Sequence, residues 1–428
     1  MKTLDATKDP ASVQRLVGGR VRLDADVVAR TRGIIESIEN EGDGALMRYT
    51  REFDCPVIDT IGLRIQDEEI EAAYAAVTKE VLRALRLARS NIKRFHKREL
   101  PKSWTLKSKG LRLEQRFQPL SRVGIYVPGG KAAYPSTVLM NAIPAAIAGV
   151  REIVMVTPCN KEGRITPEVL VAARECGVTE IYRIGGAQAV AALAYGTATI
   201  RAVDKITGPG NAYVAAAKQI LFGRVGIDMI AGPTEVVIVA DESAPAVYIA
   251  ADLIAQAEHD QDASPILITT SSVVAQAVES EVETQLKQAP REAIARTAFE
   301  RNGLILLVSS LDEAAEAVNL LAPEHLEVMV KRPRRFARRI INAGAIFVGP
   351  WSSEALGDYV AGPNHTLPTS GTARFSSALS VYDFLKFTNI IECSRKRMGK
   401  LAPYAEALAT VEGLHGHAVS LRLRREDA

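Results

Sequence analysis

Hydrophobic and polar positions follow two different periods along the chain, and the change falls near residue 122. From Leu23 to Glu99 apolar residues recur at intervals of three and four, as at Val27, Ile34 and Ile38. This is the spacing of one face of a helix, so the region is predicted to be helical and to serve packing. From residue 122 onward, short apolar runs alternate with helix-length segments. Such alternation is typical of βαβ units around a parallel sheet.

The strand-length runs form two series, separated near Gly232. The predicted strands are 123–127, 153–157 and 181–184 in the first series, and 236–240, 266–270, 304–308 and 346–348 in the second. Two α/β units of similar size are therefore expected. The residues after them are rich in charge, have a helical pattern near 404–411, and are predicted to be an appended tail.

Composition changes this picture little. The chain has 428 residues, of which 47% are apolar and 24% charged, which is ordinary for a globular protein and enough for more than one domain. The net charge is +3 and the basic residues are scattered, so no nucleic-acid partner is expected. Four cysteines, Cys55, Cys159, Cys176 and Cys393, contain no Cys-x-x-Cys pair. This spacing argues against a thiolate zinc site or a disulfide framework.

The cellular location predicted from the sequence is the cytoplasm. Residues 1–20 lack the apolar core of a signal peptide, and no apolar run approaches the ~18 residues that a membrane helix needs. No membrane partner is expected.

The strongest candidate for chemistry is the adjacent pair Glu324 and His325. The pair lies between a helical run, 311–321, and an apolar strand-like run, and it offers a base and a proton shuttle at the end of an element. A plain helix-to-strand connection could have the same sequence. Five of the six histidines fall in the second half of the chain, which suggests one polar site: His259, His325, His365, His415 and His417.

Other polar segments could supply metal ligands. Gln256 and His259 are three residues apart in a predicted helix, 247–259, so they would share one face and could reach one metal ion. Asp358 and His365 flank a Gly-Pro-Asn turn. Each segment alone also fits a purely structural role. Together their nitrogen and oxygen donors suit zinc or manganese rather than an iron–sulfur cluster.

Two glycine-rich turns each follow a predicted strand and open a helix. They are Gly185-Gly186-Ala187-Gln188 and Gly208-Pro209-Gly210-Asn211. Neither is the Gly-x-Gly-x-x-Gly dinucleotide fingerprint, so nicotinamide binding does not follow from them alone.

Taken together, these segments resemble the histidinol dehydrogenase family over nearly the whole chain. The motifs that carry the resemblance occur in order: Gly185-Gly186-Ala187-Gln188-Ala189, Gly208-Pro209-Gly210-Asn211-Ala212-Tyr213, Ala231-Gly232-Pro233-Thr234-Glu235, Gln256-Ala257-Glu258-His259, Ala322-Pro323-Glu324-His325-Leu326 and Gly362-Pro363-Asn364-His365.

The resemblance implies an α/β fold with two incomplete Rossmann-like domains, each with a parallel sheet, and small terminal extensions exchanged in a homodimer. The resemblance divides the chain into four parts. Residues 1–25 would be the N-terminal extension. Residues 26–122 and 232–378 would form the first α/β domain, which carries most metal and catalytic residues, and residues 123–231 would form the second, NAD-binding domain. Residues 379–428 would be a C-terminal tail that completes the partner subunit's site.

The implied activity is the zinc-dependent oxidation of L-histidinol through L-histidinal to L-histidine with two NAD⁺, the last step of histidine biosynthesis. Manganese is an alternative metal. His325 would be the general acid/base, and Glu324 would activate water. The implied metal ligands are Gln256, His259, Asp358 and His417, with His415 as a further candidate. The implied substrate contacts are Thr234, Gln256, His259, Glu324, His325, Asp358, His365, Glu412 and His417, and the implied NAD⁺ contacts are Tyr126, Gln188 and Asn211.

The residue types agree with this chemistry. Alcohol oxidation needs a base for the hydroxyl proton, and aldehyde oxidation needs an activated water. No cysteine falls in any motif, which disfavours a thiohemiacetal route. The metal is expected to act mainly as a template for the substrate. Thr234 stands where the family often has serine, so its extra methyl group would touch the pocket.

Three other functions fit parts of the pattern. A dehydrogenase of the same family could act on another small polyol or amino alcohol. A metal-dependent hydrolase would also use imidazoles, carboxylates and a glutamate base, but would need no NAD⁺. A non-enzymatic metal-binding protein would show no turnover.

Overall fold

The computed structural model describes residues 1–6, 8, 24–129 and 133–427. Its strands are β1 Lys2–Asp5, β2 Trp104–Ser108, β3 Leu111–Pro119, β4 Arg122–Tyr126, β5 Glu152–Val156, β6 Glu180–Tyr182, β7 Lys205–Thr207, β8 Gly226–Ile227, β9 Glu235–Ala240, β10 Ser264–Thr269, β11 Leu304–Leu307, β12 His325–Met329, β13 Ala345–Val348 and β14 Leu385–Cys393.

The α-helices of the first half are α1 Ala25–Glu41, α2 Asp43–Phe53, α3 Ile58–Ile61, α4 Asp67–Ala76, α5 Lys79–His96, α6 Pro135–Ala148, α7 Pro167–Cys176, α8 Gly186–Tyr195 and α9 Ala212–Leu221. Those of the second half are α10 Ala246–Ala257, α11 Ser272–Leu286, α12 Glu292–Asn302, α13 Leu311–Leu321, α14 Pro333–Ala337, α15 Glu354–Leu356, α16 Arg395–Val411 and α17 His415–Glu426.

Six strands form the larger parallel sheet, in the order β1-β11-β10-β9-β12-β13. Its central strand β9 is buried on both faces: Val236 and Ile238 pack with α10 to α12, whereas Val237 and Val239 pack with α13 and α14. Burial on both faces explains why these strands read as continuous apolar runs in the sequence.

Five strands form the second parallel sheet, in the order β6-β5-β4-β7-β8. Its core is continuous with apolar side chains from α1 to α5, such as Ile38, Leu46 and Ile92. The helices of residues 25–96 therefore pack on this sheet, although the sequence-based grouping joined residues 26–122 to 232–378. The division of the chain into domains stays a prediction.

A three-stranded antiparallel sheet, β14-β3-β2, was not expected from the sequence. β14 pairs with β3 along its whole length, from Leu385 opposite Pro119 to Cys393 opposite Leu111. The predicted tail therefore begins with a strand anchored to the body of its own chain. It continues into α16 and α17, which pack against each other as a hairpin.

The predicted fold class, α/β with two parallel sheets, is confirmed. Residues 2–5 of the predicted N-terminal extension form the edge strand β1, which pairs with β11 of the same chain. Most of the rest of that extension lies outside the described residues, and the homodimer stays a prediction. Within the described residues, every helix is too short or too polar to cross a membrane.

Candidate active site

A cavity of about 440 Å³ lies where the amino end of the six-stranded sheet faces the carboxyl end of the five-stranded sheet. Thr234 stands just before β9 and His325 is the first residue of β12, so both project from the amino end of their strands. Gly208 follows β7 and reaches the cavity from the other sheet. The candidate catalytic groups are thus held by rigid strand ends.

His325 is buried, and its surroundings fix which ring nitrogen carries the proton. Nδ1 lies 3.2 Å from the backbone carbonyl oxygen of Glu235. A carbonyl can only accept a hydrogen bond, so Nδ1 is the protonated nitrogen. Among the described residues Nε2 has no hydrogen-bond partner, and it lies 3.8 Å from Oδ1 of Asp358. Burial lowers the pKa of the ring to about 3, so the imidazole is neutral at pH 7 with a free lone pair on Nε2.

Glu324 lies beside this imidazole with one oxygen already engaged. Its Oε2 accepts hydrogen bonds from Oγ1 of Thr234 at 2.6 Å and from the backbone N–H of Glu235 at 3.0 Å, and lies 3.6 Å from Nδ1 of His325. Burial raises the pKa of the Glu324 carboxyl to about 8. The hydroxyl group of Thr234 therefore holds this carboxyl group in place.

A cluster of nitrogen and oxygen donors next to His325 has the chemistry of a metal site. One ligand atom from each of His259, Glu354 and Asp358 lies within 4.8 Å of the others. This mixed imidazole and carboxylate set suits zinc or manganese, so the residues fit the implied metal. The side chain of Gln256 also reaches this cluster, because its amide group contacts the Glu354 carboxyl group.

Either orientation of the Gln256 amide requires a proton on a neighbouring carboxyl group. If its nitrogen faces Thr234, at 2.6 Å, its oxygen faces Glu354, and Glu354 must be protonated to donate to it. If the amide is reversed, it donates to Glu354 and accepts from Thr234. The short contact between Thr234 and Glu324 then needs a proton on Glu324. Burial raises the pKa of Glu354 well above its usual range, in agreement with this requirement.

Asp358 and His365 are joined by the loop that the sequence singled out. Asp358 lies in a π-helical turn, Gly357–Ala361, and its backbone oxygen lies 2.9 Å from Nδ1 of His365. Nε2 of His365 lies 3.4 Å from Oγ1 of Thr137. Burial raises the pKa of the Asp358 carboxyl to about 7 and lowers the pKa of His365 to about 4. Insertions of this kind in helices are frequent at functional sites.

A second cavity, of about 980 Å³, is lined by all three of the residues implied to contact NAD⁺. The Tyr126 hydroxyl accepts a hydrogen bond from the backbone N–H of Gly186 at 3.0 Å, and the Gln188 amide donates to Asp54 at 3.3 Å. Asn211 caps α9 through its side-chain oxygen and lines both cavities. The second glycine-rich turn, Gly208–Asn211, thus lies at the boundary between the two cavities, whereas the first lines only the larger cavity.

The tail residues do not reach the smaller cavity of their own chain. Glu412, His415 and His417 are all exposed, at or near the start of α17, and none of them lines that cavity. Apolar side chains on the same hairpin are exposed too, including Val411 at 86% and Leu408 at 67%. The structure of one chain therefore leaves the His417 ligand and the Glu412 contact as predictions.

Sequence reasoning missed two residues of the site and misplaced the end of a helix. Glu354 belongs to the donor cluster, and its spacing of four residues from Asp358, within a helical segment, was the available signal. Glu235 accepts hydrogen bonds from the backbone N–H groups of Glu324 and Ser370, and nothing local marks it. α10 ends at Ala257, so His259 lies just beyond the helix that was expected to contain it.

Comparison with known proteins agrees with the geometry. The sequence profile of the histidinol dehydrogenase family matches residues 20–425. The chain belongs to the histidinol dehydrogenase family. The histidinol dehydrogenase of Rhodopseudomonas palustris is 54% identical over 401 residues, which cover 94% of this chain and 93% of that protein.

Two further histidinol dehydrogenases extend the match. That of Moorella thermoacetica is 51% identical over 419 residues and covers 98% of this chain and 99% of its own length. The crystal structure of histidinol dehydrogenase from Elizabethkingia anophelis superposes with a TM-score of 0.94 at 37% identity, over 100% of this chain and 98% of that one. The predicted family and the predicted enzyme class, an oxidoreductase, are confirmed.

Proposed function

We propose that this protein oxidises L-histidinol through L-histidinal to L-histidine with two NAD⁺, as the last step of histidine biosynthesis in the cytoplasm. The observation that carries the proposal is the free Nε2 of His325, which lies among the donors of the candidate metal cluster and beside Glu324. The family match supports the same reaction.

His325 serves the alcohol half of the reaction. As hydride leaves the carbinol carbon for the nicotinamide ring, the hydroxyl proton must leave as well. The neutral Nε2 can take that proton, because the hydrogen bond from Nδ1 to the Glu235 carbonyl keeps the lone pair on Nε2. The resulting imidazolium would face the Asp358 carboxyl group, which stabilises it.

Glu324 serves the aldehyde half. Water must add to the aldehyde before the second hydride leaves, and Glu324 can remove a proton from that water as the new C–O bond forms. One of its oxygens is held by Thr234 and Glu235, so the carboxyl group has a fixed position. Burial favours its protonated form, and a divalent cation close by would favour the carboxylate that acts as base.

The residues that would hold a zinc or manganese ion are Gln256, His259, Asp358 and the partner subunit's His417, with Glu354 beside them. The ion would supply a positively charged template that orients the amino and imidazole nitrogens of histidinol. NAD⁺ would occupy the larger cavity, where Tyr126, Gln188 and Asn211 place it next to the substrate cavity.

The test of this function is stoichiometry. The purified protein, with zinc supplied, is expected to form two NADH per histidine from histidinol, as measured by absorbance and by amino-acid analysis. A panel of small polyols and amino alcohols serves as the control. A clear preference for one of these compounds would show that it, rather than histidinol, is the substrate. Product formation without NAD⁺ would contradict the proposal.

Metal binding is expected to release protons. At pH 7 the metal-free cluster holds protons, because burial raises the pKa of Glu324 to about 8 and that of Asp358 to about 7. A cation favours the ionised carboxylates, so at least about one proton should leave per ion bound. Calorimetry at pH 7 in two buffers of different ionisation enthalpy measures this number, and equal heats in both buffers would contradict it.

Removing the metal should abolish turnover, and adding zinc or manganese should restore it. The ligands alone cannot orient the substrate for hydride transfer. The measurement is NADH formation after chelation, dialysis and readdition of each metal. Full activity in a preparation shown to be metal-free would refute the role of the ion.

The Cys159→Ser variant should retain activity within about threefold, since a conservative change at one contact rarely costs more. Cys159 lines the larger cavity, but burial raises the pKa of its thiol to about 12, so it stays protonated and is a poor nucleophile. The measurement is kcat with histidinol and NAD⁺, with circular dichroism to show that the fold is intact. A large loss of kcat in a folded variant would instead support covalent catalysis by the Cys159 thiol.

A further inference from the structure

An ion pair is buried beneath the turn that separates the two cavities. Lys218 of α9 and Asp228, which follows β8, form a salt bridge with side chains only 2% and 1% exposed. Neither residue belongs to the catalytic or metal-binding set, and neither lies in a family motif. Asp228 lines the smaller cavity, although its side chain is almost fully buried. The pair is unusual in its depth, because lysine and aspartate are rarely this buried.

Both members of the pair also hold the backbone of Gly208. The ammonium group of Lys218 donates to the Gly208 carbonyl oxygen at 3.0 Å, and Oδ2 of Asp228 accepts from the Gly208 N–H at 2.8 Å. Each polar group of this peptide segment is therefore satisfied by one end of the ion pair. The position of Gly208 is fixed from both sides.

Gly208 itself cannot be replaced or moved easily. Its φ is +108°, a conformation that favours glycine, and a Cβ atom built on it would overlap with the backbone oxygen of Tyr126. The turn is thus in contact with the backbone of a residue that lines the larger cavity. A shift of Gly208 would be transmitted to Tyr126.

The turn that begins at Gly208 forms part of the wall between the cavities. Gly208, Pro209, Gly210 and Asn211 line the smaller cavity with Glu324 and His325, and Asn211 also lines the larger one. Any hydride transferred from substrate to nucleotide has to cross at this boundary. With substrate in the smaller cavity and NAD⁺ in the larger one, as proposed above, a shift of the turn would change the distance between the two reactants.

A contribution to net stability does not explain why an ion pair, rather than apolar side chains, is buried at this position. Burying two charges costs desolvation energy that their attraction often fails to exceed, and apolar side chains of similar volume commonly stabilise a protein as well or better. Such apolar residues would leave the Gly208 N–H and carbonyl groups without partners, so the specific effect of the ion pair is a fixed turn.

We propose that Lys218 and Asp228 are positioning residues that hold the Gly208–Asn211 turn, and through it Asn211 and Tyr126, at the distance that nicotinamide binding and hydride transfer require. This inference rests on the proposed function, because it takes NAD⁺ to occupy the larger cavity. It assigns no contact between the pair and either reactant.

The test compares three variants with the full-length, zinc-supplied protein. Asp228→Asn alone should lose thermal stability, because it leaves a buried ammonium group uncompensated. The double variant Lys218→Met with Asp228→Asn should recover much of the lost Tm, yet its NADH Kd from calorimetry should rise at least about tenfold. Lys218→Arg keeps the charge but moves the donor atoms, and should also weaken NADH binding.

The control uses another ion pair on the same sheet, in which Arg122 is buried and the Glu180 side chain is 16% exposed. Arg122 and Glu180, 2.8 Å apart, lie at the opposite end of the strands, away from both cavities. Arg122→Met with Glu180→Gln should change Tm and leave the NADH Kd and the histidinol KM as they are. Equal effects of the two double variants on nucleotide binding would contradict the inference.

Two further outcomes would also show whether the ion pair positions the turn. If the double variant of Lys218 and Asp228 binds NADH with native affinity and keeps native kcat, or if it and Lys218→Arg both fail to fold, the pair serves stability alone and the inference is wrong. Turnover of histidinol by the unmodified protein tests the proposed function separately. A protein that binds NADH but oxidises no histidinol would refute that function and leave the binding comparison valid.

Discussion

Glu324→Gln is expected to slow the aldehyde half of the reaction by about 10²- to 10⁴-fold, the usual contribution of a general base. The amide is the same size as the carboxyl group and its oxygen can still accept from Thr234 and the Glu235 N–H, so the fold of the site should be kept. It cannot take a proton from water. The alcohol half, in which His325 takes the proton, should be slowed much less.

Two rates separate the halves in this experiment. Formation of histidine from histidinal and NAD⁺ reports the aldehyde half, and isotope exchange between histidinol and NADH reports the alcohol half. Glu235→Gln is the matched control, because Glu235 is a neighbouring carboxyl group, with pKa raised to about 7 by burial, that does not line the cavity. It should not separate the halves. Equal impairment of both halves in Glu324→Gln would show that Glu324 positions His325 instead.

Mixing two inactive variants, His325→Ala and His417→Ala, is expected to restore up to about a quarter of native activity after they are unfolded and refolded together. If the tail of one subunit completes the site of the other, each heterodimer has one doubly damaged site and one native site. Half of the randomly paired dimers are heterodimers, so a quarter of all sites are native.

The exposed hairpin is the structural reason for this expectation. His417 and Glu412 are exposed and remote from the cavity lining of their own chain, and Leu408, Val411 and Tyr404 present apolar surface that a second subunit would cover. Mixing His325→Ala with Glu324→Ala is the control, because both lesions lie in the same half-site and no native site can form. Absence of recovery in the first mixture, with heterodimers shown to be present, would place the tail in its own subunit's site.

The sequence predicted the two parallel sheets well because their strands are buried on both faces. Runs such as Val236–Ala240 have no polar interruptions, and the structure places a strand there. The antiparallel strands β2 and β3 were missed because neither has a buried face: every residue of β2 is exposed, including Trp104 at 52% and Leu106 at 54%, and β3 is at most partly buried. No period of two therefore marks them in the sequence.

The site was predictable where its residues are adjacent in sequence and less so where the fold brings them together. The pair Glu324 and His325 could be singled out because its members are adjacent, and the structure places it in a cavity with Asp358 and His259. Its catalytic role stays a prediction. Glu354 was missed because its one local signal, a spacing of four residues from Asp358 in a helical segment, is common on the surface of helices. The ion pair between Lys218 and Asp228 could not be predicted from the sequence either, because its members are ten positions apart with strand β8 between them.

The pairing of β1 with β11 also bears on the order in which the chain folds as it is synthesised. Lys2 pairs with Leu304, which is made about 300 residues later. The five-stranded sheet, in contrast, lies within residues 122–227 and packs on helices made before it and on the helices between its own strands. We expect that sheet to form during translation, while the first strand waits for most of the protein to leave the ribosome. A ribosome stalled after residue 260 should therefore carry a protease-resistant fragment in which residues 2–5 are still cleaved by the protease.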